Sequence, residues 1–201
     1  MPQKKVVLAS NNKKKIAEIQ HILADTGITV VAQAGVGVNE VEEHGLSFVE
    51  NALIKARHAA RISGLPAIAD DSGLEVDALD GAPGIYSARF AGAQASDEDN
   101  NQKLLAALAG VAPEKRSARF YCVIVYLHHA NDPTPLICSA AWKGTILEQP
   151  RGTSGFGYDP LFYVPTHQCS SAQLSPEEKS RISHRGQALK CFSERYHALS
   201  H

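Results

Sequence analysis

The sequence predicts a mixed α/β fold. Three observations carry this reading: a strand, a helix and a second strand follow one another at the start of the chain, three later helices open on serine-led caps, and two long apolar stretches near residue 130 read as a strand pair.

Val6 to Ala9 is a short buried strand by its apolar run. Asn12 to Ala24 follows as a helix, with Ile16, Ile19 and Leu23 at helical spacing, and Gly27 ends it before "ITVVA" (28–32) resumes a strand. Ser47 and Glu50 match a capping box for a helix running to about Ser63, where Gly64 and Pro66 stop it. "PAIADDSG" predicts a short strand ending on two carboxylates, with "GLEVDAL" as a separate strand and "DGAPGIYSARFAG" as an ordered loop. Ser96 to Leu108 is a helix with acidic residues in its first turn. The stretches 118–127 and 136–148 form an antiparallel pair across the polar link "HHANDPTP", and 161–165 adds a further strand. Ser175, Pro176 and Glu178 start the last helix.

With 201 residues the chain has enough length for one substantial core, and its formal net charge of -1 does not indicate a basic surface that grips long nucleic acid, although it leaves room for a local basic pocket. The first residues, "MPQKKVVLAS", are too short in their apolar part for a signal peptide, and no run is long enough to cross a membrane, so a cytoplasmic location is expected. The cysteines Cys122, Cys138, Cys169 and Cys191 are widely spaced and support neither a zinc site nor a disulfide framework. His128 and His129 read as surface loop.

Four stretches could carry chemistry. The run Ser10, Asn11, Asn12, Lys13, Lys14, Lys15 lies at a strand–helix junction, where free backbone N–H groups and the helix dipole favour an anion. Lysines in a first turn are unfavourable unless an anion compensates, although a solvated charge run explains them equally well. Asp70 and Asp71, followed by Ser72 and Gly73, suit a hard cation such as Mg²⁺ or a general base that orients water, and they also suit an Asx turn. "GTSGFGYDP" (152–160) allows close backbone approach to a ligand, and Phe156 or Tyr158 could stack on a base or pack inward as part of a tight turn. Lys179, Ser183, His184 and Arg185 fall near one another on the last helix or at a break in it. They suit phosphate or a purine edge, or else an exposed polar face.

These stretches, in this order and with "EEHGLSFVENALIKARHA", "GAPGIYSARFAG" and "EEKSRISHRGQAL" around them, resemble the inosine-triphosphate pyrophosphatase family in its bacterial dITP/XTP form over nearly the whole chain. The resemblance implies a long twisted mixed β-sheet flanked by helices, with two lobes and a cleft, in a single bilobal domain spanning 1–201. It implies a homodimer and Mg²⁺-dependent hydrolysis of dITP, ITP and XTP to the monophosphate and pyrophosphate. Position by position, it implies that Ser10, Asn12 and Lys15 contact the triphosphate, with Asn11, Lys13 and Lys14 in the same segment. Asp71 becomes the catalytic carboxylate and a metal contact, Glu43 the other acidic metal contact, and Ser72 a substrate contact. Phe156, Gly157, Tyr158, Asp159, Lys179, His184 and Arg185 contact the nucleotide. The segment "THQCSSAQLS" matches the family less well. Two other readings stand beside this one. A nucleotide- or RNA-binding module without catalysis is disfavoured by the near-neutral charge and by the two aspartates. A pyrophosphatase for other nucleotides, such as dUTP, would be separated by a substrate panel.

Overall fold

The computed structural model describes residues 4–199, the side chains of Lys14, Asp25 and Leu199 excepted. Seven strands form one sheet in the order β2-β1-β3-β4-β5-β6-β7: β1 Lys4–Leu8, β2 Ile28–Ala32, β3 Ala67–Val76, β4 Ser117–Leu127, β5 Leu136–Ile146, β6 Phe162–Val164 and β7 Cys169–Ser170. The sheet is mixed. β1 runs parallel to β2 and β3, with Val6 opposite Val30 and Val7 opposite Ala67, whereas β6 runs antiparallel to β5 and β7. The helices are α1 Lys13–Ile22, α2 Phe48–Ser63, α3 Asp97–Ala107, α4 Pro176–Ile182 and α5 His184–Leu199.

The caps explain most helix starts. Asn12 Oδ1 accepts from the Lys15 N–H at 3.1 Å and opens α1. Ser96 and Asp99 form a complete capping box on α3. At α2 the box is altered: Ser47 caps Glu50, but the Glu50 carboxylate returns to the N–H of Leu46, one residue before the cap.

Two expectations need correction. The stretches "PAIADDSG" and "GLEVDAL" are one unbroken strand, β3, so Asp70 and Asp71 stand in mid-strand rather than at its end. Their burial is tolerated because cations from distant helices meet them. The last helix is two helices: Ser183, with φ -68° and ψ 161°, is extended and separates α4 from α5.

The chain divides into two compact units. The first comprises the chain up to Asp71, Cys122–Ala140 and everything from Arg185 on. Its core packs Val6, Leu8, Ile19, Leu23, Ile68, Ile124, Leu189 and Phe192, all nearly fully buried. Val6 and Leu8 share one face of β1 by the alternation of strand side chains, and α1 and α5 cover that face. The second unit comprises Ser72–Tyr121 and Ala141–His184, with Leu74, Leu104, Phe120, Trp142, Leu161 and Phe162 in its core. In the first unit the thiols of Cys138 and Cys191 lie 3.1 Å apart, both free.

Candidate active site

In the first unit, β3 delivers two carboxylates to opposite sides of the sheet, because adjacent strand residues point to opposite faces. Asp70 shares the face of Ile68 and meets α1 and α5. Its Oδ2 lies 3.0 Å from Lys15 Nζ and 3.4 Å from Arg185 Nε, and Arg185 Nη1 reaches Glu18 Oε2 at 2.7 Å. Two anions therefore face two cations. Burial would raise the Asp70 pKa, but Lys15 and Arg185 more than offset it and hold the carboxyl well below its usual range. Burial would likewise discharge Arg185, and Asp70 and Glu18 keep it charged.

Asp71 lies on the other face. Lys55 of α2 bridges it to Glu43, at 2.8 Å from Asp71 Oδ1 and 3.3 Å from Glu43 Oε2. Here two carboxylates share one lysine, leaving an excess of negative charge. Burial pushes the Asp71 carboxyl up to about 6 against the pull of Lys55, with Glu43 and Asp70 adding to the rise. Its Oδ2 is buried and has no hydrogen-bond partner. Gly45 holds the Glu43 segment close to α2: its N–H donates to Asn51 Oδ1 at 2.8 Å, and a Cβ there would stand 2.6 Å from Glu50 Cβ. Among the described residues there is no group of three or more acidic, His or Cys side chains that could hold a metal. The Asp71–Glu43 pair nonetheless fits Mg²⁺, which takes one or two carboxylates and fills its shell with water and phosphate. The orphaned Asp71 Oδ2 and the surplus negative charge are what such an ion needs.

The segment leading into α1 is organised by its own side chains. Ser10 Oγ accepts from the Asn12 N–H at 3.2 Å, and Asn11 donates to Glu40 at 2.9 Å. The first turn of α1 contains no acidic residue. Asn11, Asn12 and Lys13 are exposed, Lys15 is half-buried on Asp70, and the Lys14 side chain lies outside the described residues. Ser72 follows Asp71 on β3 and is half-buried.

In the second unit the glycine-rich stretch is an ordered loop built around Asp159, which is 3% exposed. The Asp159 carboxylate accepts from the Phe156 N–H at 2.8 Å and from Ser171 Oγ at 2.7 Å, and it pairs with Lys179. Gly155 has φ +82°, and a Cβ there would fall 2.1 Å from Asp159 Oδ2, so only glycine fits that position. Lys179 Nζ also sits 5.0 Å from the Phe156 ring centroid. Tyr158 points inward: its ring belongs to the core, its hydroxyl donates to the Ser87 carbonyl at 2.8 Å, and burial raises its pKa. Of the two aromatics considered for stacking on a base, Phe156 alone is partly exposed. His184 is 7% exposed and stacks on Phe120 at a centroid distance of 4.8 Å and an interplanar angle of 13°.

The structure thus gathers Lys15, Asp70 and Arg185 in one cluster, Glu43 and Asp71 in a second, and Phe156, Asp159 and Lys179 in a third. Arg185, expected against the nucleotide, has its guanidinium on Asp70 and Glu18. Two residues escaped the sequence reading, Lys55 and Glu18. Lys55 carried a usable signal: it shares a helical face with the fully buried Ala52, Ala56 and Ala59, where a lone lysine must find a buried partner.

The Ham1 family model matches residues 6–195. The dITP/XTP pyrophosphatase of Shigella flexneri is 60% identical over 186 residues, covering 92% of this chain and 94% of that protein. Among solved structures, a HAM1 protein from Coxiella burnetii superposes with a TM-score of 0.92 at 52% identity, covering 97% of this chain and 99% of that one. The nucleoside-triphosphatase/dITP/XTP pyrophosphatase of Mycobacterium abscessus superposes with a TM-score of 0.77 at 41% identity, covering 94% and 98%.

Proposed function

The chain belongs to the Ham1 family, and from that premise we propose how its residue clusters divide one reaction. The protein is a nucleoside-triphosphate pyrophosphatase that hydrolyses non-standard purine nucleoside triphosphates, dITP and XTP among them. The observation that carries the assignment of the chemistry is the surplus negative charge of the Asp71 cluster, where two carboxylates share one lysine.

In this reading Asp71 orients the attacking water and takes up its proton, a role suited to a carboxyl lifted towards neutrality. Asp70 is unsuited to it, since Lys15 and Arg185 hold its carboxyl well below the usual range and make it a poor proton acceptor. Lys55 keeps Asp71 and Glu43 together despite their mutual repulsion. A divalent cation such as Mg²⁺, held by Asp71 and Glu43, would neutralise charge on the phosphates and ease departure of pyrophosphate. Ser10, Asn12 and Lys15 receive the triphosphate at the start of α1, whose first turn contains no acidic residue. Ser72, the next residue of β3, adds a substrate contact. Phe156 offers its ring face to the base, with Gly157, Tyr158 and Asp159 shaping the loop that presents it. Lys179 and His184 complete the nucleotide contacts, and Arg185 acts by holding Asp70 and, through it, Lys15.

The same reading includes a homodimer and a cytoplasmic location. No helix among the described residues is long and apolar enough to cross a membrane, and the 86% exposed Leu46 is apolar surface that a second copy would cover. Light scattering on the purified protein measures the mass. The reaction is tested by incubating the protein with dITP, XTP, dGTP, dATP and dUTP, with and without Mg²⁺, and measuring pyrophosphate. Equal rates on dITP and dATP, or release of orthophosphate alone, would refute the assignment.

A further inference from the structure

We propose that Asp97 and Asn101, on α3, are positioning residues that clamp the nucleotide-facing glycine loop and thereby set the enzyme's hold on its substrate; this rests on the reading above that Phe156–Asp159 contact the nucleotide. The clamp closes on a single backbone residue. Asp97 Oδ2 accepts from the Gly157 N–H at 2.7 Å, and Asn101 Nδ2 donates to the Gly157 carbonyl at 2.9 Å. Asn101 Nδ2 also donates to the Asp97 carbonyl at 2.8 Å, tying the two halves of the clamp together. The residues are four apart and so lie on one face of the helix.

This geometry fixes two successive peptide planes. The Gly157 N–H belongs to the peptide joining Phe156 to Gly157, and the Gly157 carbonyl to the peptide joining Gly157 to Tyr158. Glycine is free to adopt many backbone states, and Gly157 sits at φ +60°, so unclamped planes would wander. Held from both sides, they fix the direction in which the Phe156 ring leaves the loop. The rest of the loop is anchored independently, by Asp159 on the Phe156 N–H and by the Tyr158 hydroxyl on the Ser87 carbonyl. Gly157 is the joint between those anchors.

Helix capping does not explain the two side chains. The start of α3 is already served by Ser96 and Asp99, whose reciprocal bonds complete the box at 2.8 Å and 3.1 Å. Asp97 is surplus to that box, and its carboxylate is spent on the loop. Asn101 is 7% exposed, and its Oδ1 is buried without a partner. A leucine or alanine would avoid that cost, so the amide is retained for its donor, and the donor goes to Gly157.

A loop released from the clamp must be ordered by the substrate itself, which weakens binding while leaving the chemistry at Asp71 intact. Steady-state kinetics on dITP and dATP at 25 °C test this in the full-length enzyme, with thermal melting of each variant recorded alongside. Asp97→Ala is expected to raise KM for dITP about tenfold, the value of one charge-assisted bond, with kcat within about twofold and a reduced preference for dITP over dATP. Asp97→Asn keeps an acceptor at the same place and should restore most of the loss. Asn101→Asp turns a donor into an acceptor facing two carbonyls and should raise KM further than Asn101→Ala does. A purely structural role would lower the melting temperature and the active fraction, hence kcat, and leave KM and base preference unchanged. That pattern, or a wild-type KM in Asp97→Ala, would overturn the clamp. A wild-type protein that fails to hydrolyse dITP would instead overturn the functional reading, and the clamp with it.

Discussion

Asp70 and Asp71 are consecutive residues of one strand, both buried, and each is held by a lysine from a helix. On the Asp70 side, Asp70 and Glu18 meet Lys15 and Arg185, so charge is balanced and every strong contact lies within the protein. On the Asp71 side, Asp71 and Glu43 share Lys55 alone. A balanced buried cluster has its net charge neutralised by folding, even with Asp70 Oδ1 left without a hydrogen-bond partner. An unbalanced one carries unspent interaction energy until a cation or a proton arrives. The contrast separates a scaffold from a reaction centre within two residues, and it also explains why the two carboxyls move in opposite directions from their ordinary pKa.

The largest expected effect tests that contrast on the chemical side. Asp71→Asn removes the group that orients water and should lower turnover by roughly 10² or more, with little loss of stability, because the charge removed is the surplus one. On the scaffold side the expectation reverses. Asp70→Asn strands Lys15 and Arg185 with only Glu18 between them and should cost about 3–5 kcal/mol of stability. Chemical denaturation and initial rates on both variants decide the matter. Two variants that lose activity equally at unchanged stability would merge the clusters into one catalytic dyad.

Sequence reading reached much of this without distinguishing the two sides. Local signals place β1, α1, β2, α2 and α3, because caps, glycine stops and apolar spacing are written in neighbouring residues. The sequence divides β3 in two because Asp-Asp-Ser-Gly reads as a turn when nothing nearby neutralises it. The neutralising groups lie 55 residues upstream at Lys15 and 115 downstream at Arg185, a distance no local pattern spans. The break at Ser183 stays one of two alternatives in the sequence, since neither glycine nor proline marks it. Tyr158 shows the limit for loops: whether an aromatic in a glycine-rich stretch faces a ligand or the core depends on a partner such as the Ser87 carbonyl, 71 residues away.

A smaller effect sharpens the charge argument through a cation. If surplus charge makes the Asp71 side receptive, millimolar Mg²⁺ should raise the melting temperature of the wild type and raise it less in Glu43→Gln, which returns the cluster to balance. Glu18→Gln, which unbalances the other cluster, should leave the Mg²⁺-induced shift intact while lowering the starting stability. An equal loss of the shift in both variants would show that the ion responds to total charge and not to the Asp71 pair.

Asp132 offers a third buried carboxylate, satisfied by the backbone instead of by lysines. It accepts from the N–H groups of His128 and Thr134, both at 2.9 Å. Burial opposes ionisation there, but the two N–H donors and the His128 ring hold the pKa down at about 2. A carboxylate with a depressed folded pKa contributes stability above its unfolded value near 4, and that contribution is lost as pH falls towards 2. Asp132→Asn should therefore cost about 1 kcal/mol at pH 7 and progressively less as pH falls through about 2. Urea midpoints across that range check the convergence. A penalty independent of pH would mean that the turn depends on shape alone.

The smallest expected effect concerns the lysine run that opens α1. Lys15 is half-buried and its ammonium lies 3.0 Å from Asp70, so its position is fixed by the balanced cluster. Lys13 is exposed in the same first turn, where a cation opposes the helix dipole by a few tenths of a kcal/mol. Replacing Lys13 by alanine removes that mild repulsion together with a screened, mobile charge. Stability should stay level or rise slightly, and KM for dITP should change by less than about twofold, a difference that added salt would erase. Lys15→Ala should raise KM by about tenfold or more, because a fixed cation near phosphate is lost and Asp70 is left with weaker compensation. Kinetics on both variants at low and at moderate ionic strength test the distinction. Equal and salt-sensitive losses would mean that the run acts as a diffuse field, in which case the anchoring of Lys15 by Asp70 contributes to folding and not to substrate binding.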